Sequence, residues 1–424
     1  MVTPERALAL ILEAIKPVSR SESVALSRVH QRVLARDCPA RKTQPPCDLS
    51  AMDGYALPES AWRGNPTRLH LAGTARPGEP RISLSAPGQA IRILTGAAIP
   101  EGCDSVVIQE ETRIIDDMVE IMARPQPGRF IRPCGMDFAE GDRLIKAGTW
   151  LNARSLALLA AMNYASVPVV EKPKITIINT GDELVMPGKL DAGKLDSGKL
   201  DSGKLDSGQH TMIISSNGFS LAALLEAHGA RCDDAILCPD DLEQFVAILN
   251  ANRDADLVIT TGGASVGDHD VVASAVTANH LVPSYQKIAM RPGKPVMFSR
   301  FGELPVLSLP GNPVSVMVST LLLILPALQK LTGKPVQQTI RERAIIDHDL
   351  ATGGKREHYM RAQFVEDPKS SEHGHAEHRP ARIRAFPEQD SAQLSILYQA
   401  DGLIIRPAGA KPLAAGASLE WIPF

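Results

Sequence analysis

The segment from Asp256 to Asp270, DLVITTGGASVGDHD, most constrains the fold, because an apolar run passes directly into a glycine turn that ends in acids. A buried strand feeding such a turn brings backbone N–H groups and carboxylates to the carboxyl edge of an open α/β sheet, where ligands bind. Gly262 and Gly263 allow a phosphate to approach the main chain, and Asp268 and Asp270 carry oxygen ligands suited to Mg²⁺. Taken alone, the segment fits a purely structural turn equally well.

Strand-like and helix-like segments alternate from residue 172 to residue 330. ITIIN (175–179) is a strand pattern, Asn217 is a candidate cap for a helix that stops at Gly229, and a long helix is expected from Pro313. Alternation of this kind implies right-handed parallel crossovers. The pattern predicts a central α/β domain with a mostly parallel sheet.

Two β-rich regions flank this domain. Residues 37–146 are rich in Pro and Gly and contain short strand patterns at 90–94 and 105–108. The last part of the chain has strand patterns at 403–405 and 418–421, which indicate a small β barrel or sandwich. The expected fold class is therefore a multidomain α/β protein with a β-rich insert and a small C-terminal β domain.

Composition limits the classes of function. The chain has 424 residues, which predicts two to four domains. A net charge of −3 argues against a broad nucleic-acid-binding face. The six cysteines contain no C-x-x-C pair, so neither a zinc ribbon nor a disulfide scaffold is indicated, and a reducing cytoplasm fits.

No membrane segment is expected. Thr3 and Pro4 have the residue types of an N-cap and a first helical position, and the N-terminal sequence lacks the features of a signal peptide. The most apolar run, from Val314 to Leu328, is shorter than the roughly 20 residues that span a bilayer. We interpret it as a core helix.

TGDEL (180–184) follows another predicted parallel strand. Asp182 and Glu183 should therefore reach the same sheet edge as Asp268 and Asp270. Four carboxylates at one edge make a divalent cation site plausible.

Two Pro-Gly turns carry polar groups. RPGKP (291–295) contains Arg291 and Lys294, and LPGNPVS (309–315) contains Asn312 and Ser315. Cations beside rigid turns, together with a helix N-terminus at Pro313, suit an oxyanion or a phosphate ester. Each turn by itself is more often structural.

A single acid is presented in the N-terminal half by LSAMDGYAL (49–57), where Asp53 precedes Gly54. An Asp-Gly pair is by default a tight turn.

SAMDGYA, LTGAAIP, TGDEL, TGGASVGDHD, RPGKP and LPGNPVS, in this order, resemble the molybdopterin molybdenumtransferase family, the MoeA-type enzymes that are related to the gephyrin E domain. The resemblance runs through essentially the whole chain. It implies a cytoplasmic homodimer of elongated subunits, each with a discontinuous N-terminal domain (1–45 and 140–172), a β-rich domain (46–139), a molybdopterin-binding α/β domain (173–330) and a C-terminal β-barrel-like domain (331–424).

The activity that the resemblance implies is insertion of molybdate into adenylyl-molybdopterin with Mg²⁺, which releases AMP and Mo-molybdopterin. The adenylyltransferase that makes this substrate is a possible partner. A phosphoanhydride needs a metal and cations, and molybdate is a tetrahedral oxyanion, so this chemistry agrees with the predicted sheet-edge site.

The resemblance also implies roles for individual residues. Glu183 and Asp270 are expected to bind Mg²⁺, and the catalytic set is Asp53, Asp137, Lys287 and Arg291, with the two acids reaching the cleft from the N-terminal half. The expected substrate-binding residues are Thr95, Gly262, Gly263, Ser265, Lys294, Pro295, Asn312, Ser315, Arg361 and Ser391.

The chain departs from the family pattern at three places. Cys47-Asp48-Leu49 stands where Phe-Asp-Asn is usual, and Gly135-Met136 replaces a charged dipeptide before Asp137. Arg291 stands where Lys is common, which keeps the charge but offers a bidentate donor.

Two polar segments are interpreted as solvated loops. Gly188 to Ser207 holds four tandem copies of G-K-L-D-[AS], for which a lid over the TGDEL edge is the alternative. His373, His375 and His378 lie in a polar stretch, with adventitious metal binding as the alternative.

Two other functions remain open. A molybdopterin adenylyltransferase shares the α/β domain and its TGG turn but not SAMDGYA or the flanking β domains. A scaffold protein of the gephyrin E-domain type is the second, and the retained acids and cations argue against a purely structural protein.

Overall fold

The computed structural model describes residues 1–189, 212–263, 271–365 and 380–424, and the chain divides into two compact units. The first unit comprises Met1–Glu22 and Val170–Phe424, and the second comprises Ser23–Val169. Each unit has its own hydrophobic clusters.

The helices are α1 (Pro4–Ala14), α2 (Ala153–Ala161), α3 (Asn217–Ala227), α4 (Leu242–Ala251), α5 (Val271–Thr277), α6 (Pro313–Ser319), α7 (Leu325–Leu331) and α8 (Leu394–Gln399). The strands are β1 (Ser21–Ala25), β2 (Leu49–Ser50), β3 (Gly54–Leu57), β4 (Thr67–Ala75), β5 (Gln89–Ile93), β6 (Ser105–Ile108), β7 (Thr112–Ile115), β8 (Met118–Ile121), β9 (Ile131–Arg132), β10 (Ser166–Val170), β11 (Lys174–Thr180), β12 (Leu184–Val185), β13 (Ile213–Ile214), β14 (Arg231–Cys232), β15 (Ile236–Cys238), β16 (Leu257–Thr261), β17 (Val282–Tyr285), β18 (Met290–Arg291), β19 (Met297–Phe301), β20 (Leu304–Leu309), β21 (Glu342–Ile346), β22 (Glu357–Phe364), β23 (Ala381–Ala385), β24 (Gly402–Arg406) and β25 (Ser418–Pro423).

The central sheet of the first unit runs β14-β11-β16-β20-β19-β17, and β15 also pairs with β11. The pairings of β11 with β14, β15 and β16, and of β16 with β20, are parallel, whereas β19 and β17 extend the sheet antiparallel. One face packs on α1, α3, α6 and α7, and the other packs on α4 and α5. The predicted mostly parallel α/β sheet is confirmed.

The predicted cap at Thr3 is confirmed, because its side chain accepts from Arg6 N. Asp241 caps α4 in the same way, with its side chain accepting from Gln244 N. The predicted cap at Asn217 is wrong, because Ser216 is the N-cap residue and Asn217 is the first helical residue. Its amide instead donates to Gly311 O at 2.6 Å, which ties α3 to the turn after β20.

One helix among the described residues, Pro313–Leu331, is long and apolar enough to cross a membrane, with mean hydropathy 1.8. It consists of α6, a π-helical turn and α7. Because 72% of its most apolar window is buried inside the protein, it fits the predicted core helix.

The C-terminal strands form a closed sheet. The order β22-β23-β21-β25-β24 returns to β22 through the β22–β24 pairing, and β18 adds to β22 at the side. Buried Trp421 and Ile383 lie in its core. This confirms the predicted β-barrel-like domain.

The second unit is β-rich, as predicted. Its six-stranded sheet has the order β6-β3-β5-β4-β8-β7. A separate cluster joins residues 29–40 to residues 138–169 around α2. The predicted domain bounds remain a prediction.

Candidate active site

The turns after β11 and β16 pack directly against each other. Gly262 has φ +88°, and a Cβ on it would lie 2.3 Å from the carbonyl oxygen of Thr180. Gly263 has φ +60°, and its Cβ would lie 2.8 Å from Thr180 Oγ1. Both positions therefore require glycine for their conformation and for this close approach.

A cavity of about 360 Å³ opens at this edge of the sheet. It brings together three of the predicted site residues, Glu183, Gly262 and Asn312. Asn217, at the start of α3, and Pro313, at the start of α6, also line it. Two helix N-termini consequently reach one cavity, and their dipoles favour an anion.

The acids of TGDEL separate. The carboxylate of Glu183 lies over Gly181, with Oε2 2.6 Å from where a Cβ would stand, and it lines the cavity. Asp182 Oδ1 instead accepts from Asp240 N at 3.0 Å, before α4. Asp182 does not line the cavity, and its place in a cation site with Asp268 and Asp270 stays a prediction.

The described residues fit a Mg²⁺ site in which the protein supplies a single carboxylate. Among these residues no group of three or more His, Cys, Asp or Glu is placed to hold a metal ion. Mg²⁺ commonly keeps several waters and binds through one or two carboxylates plus substrate phosphates. Glu183 supplies one such carboxylate.

Ser391 is held against the N-terminus of α6. Asn312 Nδ2 donates to Ser391 Oγ at 2.8 Å, and Val314 N donates to Ser391 O at 3.1 Å. Ser315, one turn into the helix, is 3% exposed. Asn312 and Ser391 thus form one contact next to the cavity.

Arg361 is 1% exposed and holds the main chain that leads to Ser391. Its guanidinium donates to Gln393 O at 3.1 Å and to Glu388 O at 3.0 Å. Burial lowers its pKa below the ordinary range, and its buried Nε has no hydrogen-bond partner. We assign Arg361 a positioning role in the structure.

Cationic side chains gather around His358 on β22. Arg291 on β18 is its register partner. The pKa of His358 falls to about 4, first because it is buried and further because of the positive charges of Arg291, Arg356 and Arg361. The positive charges of these arginines favour an oxyanion in this region.

The remaining RPGKP residues lie on one irregular segment. Lys294 O accepts from Ile288 N at 2.9 Å, which closes the segment that follows Lys287. Arg291 and Lys294 are exposed, whereas Lys287 and Pro295 are half-buried. None of the four lines the 360 Å³ cavity.

In the second unit, Asp53 and Thr95 form a bonded pair. Asp53 Oδ1 accepts from Thr95 N and from Thr95 Oγ1, each at 2.7 Å. The backbone hydrogen bond is the first cause, and the hydroxyl the second, that lowers the pKa of this exposed carboxyl below its usual value. Asp53 is therefore held ionised. Asp137 is also exposed, and its N–H donates to Gln44 O at 3.0 Å.

Comparison with known proteins was made for the whole chain. Three family profiles match in succession: the MoeA N-terminal region (domain I and II) at 2–163, a probable molybdopterin binding domain at 176–330 and the MoeA C-terminal region (domain IV) at 343–424. Molybdopterin molybdenumtransferase 2 of Mycobacterium tuberculosis is 31% identical over 98% of this chain and 97% of its own length. The chain belongs to the molybdopterin molybdenumtransferase family.

Further relatives agree. The molybdopterin molybdenumtransferase of Nostoc is 36% identical over 80% of this chain and 76% of its own length. A crystal structure described as the molybdopterin biosynthesis moea protein from Pyrococcus horikosii superposes with a TM-score of 0.79 at 26% identity, covering 100% of this chain and 99% of that one.

Several predicted residues of this family site lie outside the described residues. They are Ser265, Asp268 and Asp270, and their roles stay predictions. The segment 190–211, which holds most of the pentapeptide repeat, and the histidines at 373, 375 and 378 also lie outside.

Sequence reasoning missed two structural features of the site. His358 lies in β22 directly opposite Arg291 of β18, and no local pattern predicts that pairing. Asp48 accepts from Cys134 N at 2.8 Å, and no local pattern predicts this contact between segments 86 residues apart.

Proposed function

We propose that this protein inserts molybdate into adenylyl-molybdopterin, cleaving the adenylyl group to give Mo-molybdopterin and AMP. The observation that carries the proposal is the cavity in which Glu183, the Gly262 turn and the N-termini of α3 and α6 meet. Family membership over 98% of the chain supports the same conclusion.

The cavity suits the phosphate end of the substrate. The absent side chain at Gly262 lets a ligand come close to the main chain, and the dipoles of α3 and α6 at the cavity wall favour an anion. Asn217 and Asn312 add amide groups at the cavity wall. These groups would orient the phosphates without themselves changing protonation.

The cations of RPGKP suit molybdate and the charge that develops on cleavage. Arg291 supplies positive charge next to His358. Lys287 and Lys294 add two cations on the same segment, and Lys294 and Pro295 follow a rigid turn. Fixed cations stabilise developing negative charge at little cost in reorganisation. Arg361 would act indirectly, because its hydrogen bonds hold the main chain on both sides of Ser391.

Glu183, with Asp270, is the proposed Mg²⁺ ligand, and the metal when bound would polarise the α-phosphate. Asp53 and Asp137 are proposed as the essential acids. The two hydrogen bonds from Thr95 keep Asp53 ionised. Ser315, which is buried in α6, and Thr95 would position groups that bind substrate.

We further propose a cytoplasmic homodimer. An apolar groove of about 960 Å³ between α3, the Pro313–Leu331 helix and α8 supports a protein contact. Tyr398, which is 90% exposed, and Phe424, which is 53% exposed, both line this groove. Large apolar surfaces of this kind mark association sites.

The metal assignment is tested by replacing Glu183 with Gln, which removes the charge and keeps the size. We expect the Mg²⁺ concentration that gives half-maximal AMP release to rise at least about tenfold. Asp182→Asn is the matched control, because Asp182 is bound to Asp240 N. Equal Mg²⁺ dependence of both variants and the unmodified protein would refute the assignment of Glu183. Asp270→Ala should abolish AMP release.

The reaction direction separates the alternatives. With adenylyl-molybdopterin, molybdate and Mg²⁺, the proposal expects AMP. Formation of an AMP ester from ATP and molybdopterin would instead indicate the adenylyltransferase, and absence of both reactions would indicate a scaffold protein.

A further inference from the structure

Two segments of the second unit, 44–49 and 132–138, lie side by side and are joined at both ends. Gln44 bridges Phe138, and Leu49 of β2 pairs with Arg132 of β9. Between these ends, Gly135 N donates to the carbonyl of residue 45 at 2.9 Å. The two segments therefore have little freedom to separate.

Cys47 and Cys134 lie on these two segments between the joined ends. Cys47 is two residues before Leu49 of β2, and Cys134 is two residues after Arg132 of β9. Both cysteines stand outside the strands, Cys47 in a bend and Cys134 in a turn. They are therefore confined to the same short stretch of paired chain.

A direct contact supports this placement. Cys134 Sγ donates to Pro46 O at 3.4 Å. That carbonyl is bonded to the nitrogen of Cys47, and its oxygen lies about 2.8 Å from the next Cα by standard backbone geometry. Cys134 Sγ is therefore within about 6 Å of Cys47 Cα.

The pair is chemically available. Cys134 is exposed and Cys47 is half-buried, and both are free thiols in this structure. Within the described part of the chain no third His, Cys, Asp or Glu completes a metal site. The Cys134 thiol thus lies beside the main chain of Cys47, and neither thiol has a competing ligand role among the described residues.

We propose that Cys47 and Cys134 are a reversible modification site, a dithiol that closes to a disulfide by exchange with a low-molecular-weight disulfide. The Cys134 thiolate attacks one sulfur of that disulfide, forming a mixed disulfide and releasing one thiol. The Cys47 thiolate then attacks the Cys134 sulfur and releases the second thiol. The protein loses two electrons and two protons, and the external disulfide is reduced to two thiols.

The two cysteines lie close in sequence to two candidate catalytic acids, Asp53 and Asp137. Cys47 precedes Asp48, whose carboxylate accepts from Cys134 N, and the same segment continues to Asp53. Cys134 is three residues before Asp137. Closing the disulfide would fix the two segments that carry both acids. An effect on turnover rests on the proposed function, whereas the formation of the disulfide does not.

The test uses the full chain treated with oxidised glutathione, blocked with an alkylating reagent, digested and analysed by mass spectrometry. We expect one peptide pair, joined Cys47 to Cys134, that dithiothreitol separates. The unfolding midpoint of the oxidised protein should rise by about 5 °C, because the bond restricts the unfolded chain. Neither Cys47→Ser nor Cys134→Ser should form the link, and Cys47→Ser should retain glutathione on Cys134.

Cys103→Ser is the matched control. Burial raises the pKa of Cys103 to about 12, so this cysteine should stay unmodified in the unchanged protein. Glutathione that accumulates on Cys134 of the unchanged protein, with Cys47 alkylated, would overturn the proposal. So would a link between two chains or the absence of any reaction. Turnover, measured separately by AMP release, reports only the consequence for activity.

Discussion

At the scale of single residues, the Asp53–Thr95 pair shows how a neighbour lowers the pKa of a candidate catalytic acid. The carboxylate is exposed, so burial has little effect on this pKa. The hydrogen bonds from Thr95 lower it, because they stabilise the charged form over the protonated form. One of the two bonds comes from a backbone N–H that no substitution of Thr95 by a non-proline residue removes.

Thr95→Val removes only the hydroxyl bond. We expect the pKa of Asp53 to rise towards its ordinary value, with AMP release falling several-fold. NMR titration of the Asp53 carboxyl measures the pKa. Thr95→Ser, which keeps the hydroxyl, should retain the low pKa. An unchanged pKa in the valine variant would show that the hydroxyl bond does not contribute.

Gly262→Ala tests the contact between the two strand turns. The new Cβ would lie 2.3 Å from Thr180 O in addition to having a left-handed φ, so the free energy of unfolding should fall by about 3 kcal/mol or more. Gly141→Ala is the matched control, because Gly141 has φ +92° and nothing within 4 Å, and it should cost about 1 kcal/mol. Urea unfolding of both variants measures the difference. Equal losses would mean that φ alone explains the requirement for glycine.

At the scale of elements, strand β22 carries a pH-dependent contribution to stability. His358 has a folded pKa of about 4, below the unfolded value near 6.5. Between these values the unfolded chain binds more protons than the folded chain, so the free energy of unfolding decreases as pH falls from about 6.5 to 4. Above pH 6.5 the contribution is fully present.

His358→Gln should remove this part of the pH dependence. The difference in unfolding midpoint between pH 7 and pH 5 should become smaller in the variant than in the unchanged protein. His280→Gln is the control, because it replaces an exposed imidazole in the same unit. An identical pH dependence in all three proteins would contradict the low pKa of His358.

Local patterns predicted the elements that local chemistry determines. The strand ends at Thr180 and Thr261 follow from apolar runs that stop at glycine, and Thr3 caps α1 as its residue type predicts. Asn217 was mispredicted because its amide partner, Gly311 O, is 94 residues away. Similarly, Arg361 matches a family motif, but its contacts with Glu388 and Gln393 depend on how the barrel packs.

At the scale of the whole molecule, the fold class was predictable and the location of each side chain was not. The alternation from 172 to 330 required a mostly parallel sheet, and the strand patterns at 403–405 and 418–421 became β24 and β25 of the closed barrel. The apolar helix Pro313–Leu331 fits the core because most of its surface packs on the sheet. Only the tertiary structure distinguishes Glu183, which lines the cavity, from Asp182, which does not.

The most direct test of the central claim measures AMP and molybdenum-bearing molybdopterin together, in one reaction of the purified protein with adenylyl-molybdopterin, Mg²⁺ and molybdate. The proposed function predicts equal amounts of both products, and little of either when molybdate is omitted. AMP released without incorporation of molybdenum, or no AMP at all, would contradict it.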